Sequence, residues 1–371
     1  MSAGPRYDTE QVRLLRAGSQ AVGDGVREDS AAAVVRRVFA LQAQDRTAVD
    51  LGIRVRARRL VPGDVRTAYE DDRSIVRTWL MRGTLHTVPG EDLRWVLALL
   101  APRLLAATAH RYRALGLDET VRERARSVIE GALSDSGPLS RAELTQRLAG
   151  ADLPFEGQAT FHLIRNAALS GIVCHGPLHG GEETFVLLAD WLPHPGVGAG
   201  WEPERALLEL ARRYLHGHAP VGPDDFALWS GLPITEARRA WRALADGGEI
   251  GEYGDGEYGE YGELSMPSGR KPTTAEPRND VRLLPAYDGF LVGYRSRAFA
   301  VPDGFERQVW PGGGQIRPTV IADGLAVATW SRGRSTQGGV RREAFTALSA
   351  PTEAAIERDA VEVAAFLHPS G

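Results

Sequence analysis

SIVRTWLMR (residues 74–82) and TLHTVP (84–89) are two runs rich in β-branched and aromatic residues on either side of Gly83, and Pro89 closes the second. They read as a β-hairpin. The segments before them are helical in pattern: DSAAAVVRRVFAL (29–41) places Val34, Val35, Val38, Phe39 and Leu41 at the spacing of one helix face, with Asp29 or Ser30 as N-cap. Residues 46–60 are harder to type, and GDVRTAYED (63–71) has Asp64 as the cap of a third helix. Three short helices followed by a hairpin is the order of a winged helix.

The order recurs downstream. GPLSRAELTQRL (137–148), with Ser140 and Glu143 at capping-box spacing, precedes FEGQATFHLIRNAALSG (155–171), the apolar run IVC and, after a Gly-rich turn, TFVLLADWL (184–192). APVGPDDFALWSGLPITEARRAWRAL (219–244) begins the same way and continues through a Ser-Gly turn into another amphipathic helix. A third unit would then end in GEIGEYGDGEYGEYGELS (248–265), a low-complexity acidic tract with Tyr253, Tyr258 and Tyr261 that would repel phosphate. After a polar linker near 267–280, LLPAYDGFLVGYRSR (283–297) and PTVIADGLAVATWS (318–331) read as short β-type runs, and an amphipathic helix is expected at about 351–366.

The 371 residues, 43% hydrophobic and 25% charged, belong to an ordinary globular chain, and at about 100–200 residues per domain they predict two to four domains. A single cysteine, Cys174, excludes a disulfide framework and a thiolate cluster and fits a reducing compartment. The charged start MSAGPRYDTEQVRLL is unlike a signal peptide, and no window reaches the roughly 18 uncharged residues of a membrane span. The expected location is cytoplasmic. The net charge of −4 argues against a protein that coats nucleic acid, but the charge is segregated: residues 46–113 hold 13 Arg against 7 Asp or Glu, whereas 246–263 hold 7 acids and no base.

Several chemistries lack an anchor. The nine histidines form no HExxH-type spacing, and His216 and His218 in YLHGHAP read as helix-end or loop residues. There is no GxxxxGK[ST] loop and no G-x-S-x-G elbow, and WPGGGQ (310–315) opens no obvious helix. Neither a metal nor a cofactor is expected. LQAQDR (41–46) remains. In a continuing helix Gln42 and Gln44 would lie about 200° apart; in an extended chain they would face the same way and offer two amides to one point. An amide carbonyl can hold a water and its dipole can face a developing cation. The other reading is a polar helix end in which Gln42 caps a neighbour.

LQAQ (41–44), RTWLMRGTLHTVP (77–89), GIVCHGP (171–177) with TFVLLADWL, and LLPAYDGFLVGYRSR together resemble the AlkZ-like family of DNA glycosylases, also described as winged-helix DNA-binding proteins. The resemblance runs in order over nearly the whole chain. It implies an α+β fold with three tandem winged-helix units, residues 1–117, 118–200 and 201–266, in a C-shaped body, and a small barrel-like, β-rich C-terminal domain, 280–371. It also implies hydrolysis of the N-glycosidic bond of alkylated purines with Gln42 and Gln44 as catalytic residues. A Gln at 44, where a related branch has Asp, points to bulky N7-alkylated guanine and interstrand crosslinks, and to self-resistance against an alkylating natural product. Asp45 is the adjacent acid, turned away from the pair by side-chain alternation.

The implied partner is double-stranded DNA with alkylated guanine, with no membrane and no protein partner. Arg46, Arg54, Arg56, Arg58 and Arg59 follow the motif, Arg77 and Arg82 lie on the first hairpin, and Arg111 and Arg113 follow in the next helix, all candidates for phosphate contacts. His86 on the hairpin either touches DNA or pairs across the strands. Two rivals stay open: a non-enzymatic DNA-binding regulator, because winged helices more often bind than catalyse, and an interaction scaffold built on the acidic tract.

Overall fold

The computed structural model describes residues 8–23, 25–198, 200–251, 264–270, 278–333 and 339–368. The chain packs as two compact units, one made of residues 1–65 and 207–371 and the other of residues 66–206.

The first unit opens with α1 (Thr9–Ser19), capped by Asp8, and α2 (Ala31–Val38), capped by Ser30 through the Ala33 amide. The helix expected to reach residue 41 stops at Val38, because Phe39 and Ala40 turn to φ of 41° and 72°. A two-residue strand, β1 (Leu41–Gln42), follows, and then α3 (Arg46–Arg54) with Asp45 as its N-cap. The next helix, α4 (Pro62–Glu70), begins two residues before Asp64. Asp64 therefore lies inside the first turn, where its carboxylate accepts from the Val61 amide at 2.9 Å. It is not the residue preceding the helix.

The second unit contains the hairpin. β2 (Ile75–Trp79) and β3 (Leu85–Pro89) pair antiparallel, Thr78 opposite His86. Gly83 at the tip has φ +73°, a conformation that strains any residue with a side chain, and the Arg165 guanidinium lies where a Cβ would stand. All five residues of β2 are buried, and Trp79 stacks on Phe185 with centroids 6.2 Å apart, so this strand carries no inside-outside alternation. The helices α5 (Leu93–Ala114) and α6 (Glu119–Ser136), the strand β4 (Leu139–Ser140), and α7 (Arg141–Gly150) and α8 (Ala159–Leu169) come next.

Ser140 and Glu143 form the expected capping box, 3.3 and 2.7 Å. β5 (Val173–His179) and β6 (Glu182–Leu187) complete a three-stranded sheet in the order β4-β6-β5, and a single turn, α9 (Leu188–Trp191), ends the apolar run. Helix, strand, two helices and a hairpin thus succeed one another in this unit.

α10 (Pro203–His218) leads back into the first unit, where α11 (Pro223–Ser230) and α12 (Ile234–Asp246) are joined across Gly231 in the left-handed conformation. A short ladder, β7 (Ile250–Gly251) with β8 (Met266–Pro267), lies at the edges of the acidic tract. Residues 252–263 of that tract, with its three tyrosines, lie outside the described residues.

β9 (Val281–Leu284) is followed by a helical turn, α13 (Gly289–Val292), and by α14 (Glu306–Val309). LLPAYDGFLVGYRSR is thus strand for only its first residues: Asp288 caps the Phe290 amide at 2.9 Å and converts the apolar FLV into helix. β10 (Thr319–Ala322), β11 (Leu325–Arg332) and β12 (Val340–Ala344) join β9 in an antiparallel sheet ordered β12-β11-β10-β9. Asp323 and Gly324, both at positive φ, make the two-residue turn between β10 and β11. α15 (Ala350–Leu367), capped by Ser349, closes the unit against β9.

A polar network inside the first unit ties its N-terminal stretch to its C-terminal stretch. Arg16 pairs with Asp225 at 3.3 Å and lies 4.2 Å from the ring centre of Tyr294. Ser19 donates to the Ala219 carbonyl at 2.6 Å, and Gln20 donates to the Tyr294 hydroxyl at 3.2 Å. These residues stand some 200 to 270 positions apart in sequence.

Candidate active site

The chain break after α2 makes the glutamine pair. Two consecutive non-glycine residues at positive φ are costly, on the order of 1–3 kcal/mol each. The surrounding packing enforces them: Phe39 is fully buried with the Arg213 guanidinium 5.3 Å from its ring centre, and Gly217 of α10 approaches so closely that a Cβ there would meet the Arg37 carbonyl at 2.5 Å. The backbone leaves Ala40 extended. Leu41 and Ala43 then point into the core at 4% and 0% exposure, while Gln42 is half-buried and Gln44 exposed. Alternation along an extended chain puts both amides on one side.

They touch. Gln42 Nε2 donates to Gln44 Oε1 at 2.5 Å. The bond ties the two amides together, and the Gln44 oxygen that accepts it is polarised by the Gln42 N–H. Asp45 is exposed but committed to the helix, its Oδ1 accepting from the Ala48 amide at 3.0 Å. α3 thereby anchors the C-terminal side of the motif as the Phe39–Ala40 turn anchors its N-terminal side.

The candidate DNA-contacting residues separate by burial. In the first unit, Arg58 and Arg59 are exposed; Arg58 pairs with the exposed Asp29 at 3.2 Å, and Arg59 holds φ 52°. Arg46 is half-buried beside Asp50, 3.2 Å away. Arg54 and Arg56 are buried: Arg54 reaches Asp359 at 2.8 Å and also pairs with Glu362, both on α15, and Arg56 forms a two-toothed pair with Asp288 at 2.7 and 2.8 Å in which neither side chain has any exposure. In the second unit Arg82, Arg111 and Arg113 are exposed, Arg111 donating to Gln158 at 2.6 Å, whereas Arg77 is 2% exposed and paired with Glu183 at 2.6 Å. Arg54, Arg56 and Arg77, expected as phosphate contacts, are buried and paired with carboxylates of this chain: Asp359 and Asp288 are interior, while Glu362 and Glu183 reach the surface.

His86 belongs with them. It is 1% exposed, stands opposite Thr78 in the hairpin ladder, and its Nδ1 lies 3.1 Å from the Thr84 carbonyl oxygen. Burial, with the Arg82 charge nearby, pushes its pKa down to about 3, and burial does the same to His218. Both rings stay neutral in the folded chain while the unfolded chain takes up their protons near pH 6.5. Between pH 6.5 and 3 the unfolded state binds more protons, so stability falls as pH falls through that window and is fully present above it. The expected slope is about 1.4 kcal/mol per pH unit for each histidine. Melting temperatures measured from pH 7 to 5 should drop, and His86→Gln with His218→Gln should flatten that part of the curve.

The AlkZ-like DNA glycosylase model matches residues 35–366, and the chain belongs to that family. It is a DNA glycosylase. A relative from Streptomyces sahachiroi, described as an interstrand DNA cross-link repair glycosylase, is 28% identical over 316 residues, covering 82% of each chain. The solved structure of the Streptomyces sahachiroi DNA glycosylase AlkZ has the same fold, with a TM-score of 0.79 at 24% identity over 98% of this chain and 97% of that one. Among the described residues, no helix is long and apolar enough to cross a membrane.

Proposed function

We propose that the protein is a monofunctional glycosylase that hydrolyses the N-glycosidic bond of N7-alkylated guanine in duplex DNA, bulky and crosslinked adducts included, with Gln42 and Gln44 as its catalytic residues. The observation that carries this reading is the hydrogen bond between the two amides on the exposed side of a strained chain break. The crosslink-repair description of the Streptomyces sahachiroi relative supports the substrate class, and membership of a glycosylase family weighs against a regulator that only binds.

The chemistry asks little of a base. Alkylation at N7 makes guanine cationic, so the C1′–N9 bond breaks with its electron pair going to the purine, which leaves as a neutral base. Positive charge passes to the sugar as an oxocarbenium-like state. An amide carbonyl of the pair holds a water against C1′ and faces its dipole to that charge. The water oxygen bonds to C1′ and its proton goes to solvent, since an amide cannot keep it. The products are an abasic site, a free alkylguanine and a proton.

The helix and strand orders described above support a reading as three winged-helix units, 1–117, 118–200 and 201–266, followed by the β-rich segment 280–371. In the 118–200 unit α6, β4, α7, α8 and the β5-β6 hairpin supply the whole pattern. Phosphate contacts fall to the exposed or half-buried arginines, Arg46, Arg58 and Arg59 on the first unit and Arg82, Arg111 and Arg113 on the second. Arg58→Ala with Arg59→Ala should weaken binding to any duplex, whatever its sequence, and flatten the plot of log affinity against log salt by about 0.9 per lost contact. Fluorescence anisotropy over a salt series measures this.

Incubation of the protein with duplexes bearing a 7-methylguanine, a bulky N7 monoadduct and a crosslink, followed by chromatography of the freed bases, tests the activity. Release of the alkylated guanine with an abasic strand left behind is the expected result. A footprint at a fixed sequence with no base released would overturn it.

A further inference from the structure

A cleft of about 180 Å³ opens beside the glutamine motif in the first unit, between the first turns of α3 and the sheet of β9 to β12. One wall is Asp45, Thr47 and Leu51; the other includes Pro285, Pro318 and Trp330. Asp45 follows Gln44 directly, so a residue of the cleft wall and a residue of the amide pair are chain neighbours, their Cα atoms about 3.8 Å apart.

Its interior is apolar and rigid. Leu51 is 3% exposed and Trp330 5%, and two proline rings fix the backbone opposite them. Two of the polar groups that border it are already used, since the Trp330 indole N–H donates to the Leu284 carbonyl at 2.7 Å and Asp45 Oδ1 takes the Ala48 amide; the half-buried Thr47 and the exposed Ser331 and Arg332 add a polar rim. The buried floor, formed by Ala48, Leu51, Pro285 and Trp330, has no side-chain donor left for a charged or hydroxylated guest, and a polar group seated on it would lose its water without a partner. A flat apolar group suits both the chemistry and the shape. An apolar cavity of about 150 Å³ takes one benzene ring, so this cleft has room for a single ring and its linker.

We propose that this cleft receives the N7 substituent of the damaged guanine while the glutamine pair faces C1′, and that it selects a substituent carrying one planar ring on a short linker, of the benzyl class. The inference rests on the glycosylase reading above and adds to it the part of the lesion that is recognised. Binding the substituent outside the amide site holds the sugar over Gln42 and Gln44 without a pocket for the whole adduct.

The test compares release of 7-benzylguanine and 7-methylguanine from otherwise identical duplexes by the full chain and by two variants that fill the cleft from opposite walls, Thr47→Tyr and Ala286→Phe. The ratio of benzyl to methyl release should fall about tenfold or more in each folded variant, as for the loss of a well-matched apolar pocket. A ratio within about twofold of the unaltered protein in both would overturn the cleft while leaving the glycosylase reading intact. Inhibition of the unaltered protein by the free bases gives a second readout that needs no variant: stronger inhibition by 7-benzylguanine supports the cleft, and equal inhibition overturns it. Release of neither base by the unaltered protein would overturn the function reading and this inference with it.

Discussion

Replacing Gln42 and Gln44 together by alanine is expected to lower release of an alkylated guanine by on the order of 10²–10³-fold while changing affinity for the same duplex by less than about twofold. The magnitude is that of removing preorganised dipoles from a site where charge develops in the transition state. The separation of rate from affinity follows from the proposed roles: on that reading the pair faces the reacting sugar, and the exposed arginines, not the amides, would hold phosphate. The single variants should not be independent. Gln42 donates to the Gln44 oxygen, so Gln42→Ala removes one amide and the bond that ties the other to it, and Gln44→Ala leaves Gln42 Nε2 without that acceptor. Each single loss is therefore expected to approach the double, as for groups that act as one unit. Single-turnover release and anisotropy on the same lesion-bearing duplex measure both quantities. A double variant with undiminished release would remove the catalytic assignment from these residues.

The glutamine pair was readable in the sequence because a two-residue period needs only a chain that is extended at the right place, and Leu41 and Ala43 show the inward half of that period. The residues that impose the extension were not readable: nothing in Phe39 or Ala40 announces positive φ, which follows from the close approach of α10 at Gly217. The capping box at Ser140 was likewise local, and its spacing is in the sequence; the Asp323-Gly324 turn inside the run 318–331 is just as local in its cause. The arginines divide for the opposite reason. A count along residues 46–113 treats Arg56 and Arg58 alike, yet the partner of Arg56 stands 232 positions away at Asp288, and that of Arg77 stands 106 away at Glu183. Interior and surface charge look the same until the carboxylate that neutralises each is known. The run around Asp288 is a further case, since a short apolar stretch is compatible with strand or helix and only its cap decides between them.

Asp288→Ala is expected to destabilise the first unit by about 3–5 kcal/mol, because it removes one member of a buried ion pair and leaves the other charged in the core. The surroundings make the penalty hard to relieve. Arg56 has no exposure, and it cannot discard its proton as a buried lysine would. Its remaining acceptors are the Gly52 carbonyl at 2.9 Å and Gln20 Oε1 at 3.0 Å, neither of which carries charge. Asp288 also caps α13 through the Phe290 amide, which adds the cost of an uncapped helical turn. A fall of about 10 °C in melting temperature corresponds to a loss of this size in a unit of some 200 residues.

The paired replacement of Arg56 by Met and Asp288 by Leu separates charge from packing. With neither charge present, the desolvation cost disappears from both sides of the comparison, and the double variant should be more stable than Asp288→Ala alone. Thermal melts of the unaltered protein, Arg56→Met, Asp288→Leu and the double variant form the cycle. A coupling energy near zero would mean that the pair does not hold the helix behind the glutamines to the C-terminal segment, and that hydrophobic contact alone does so.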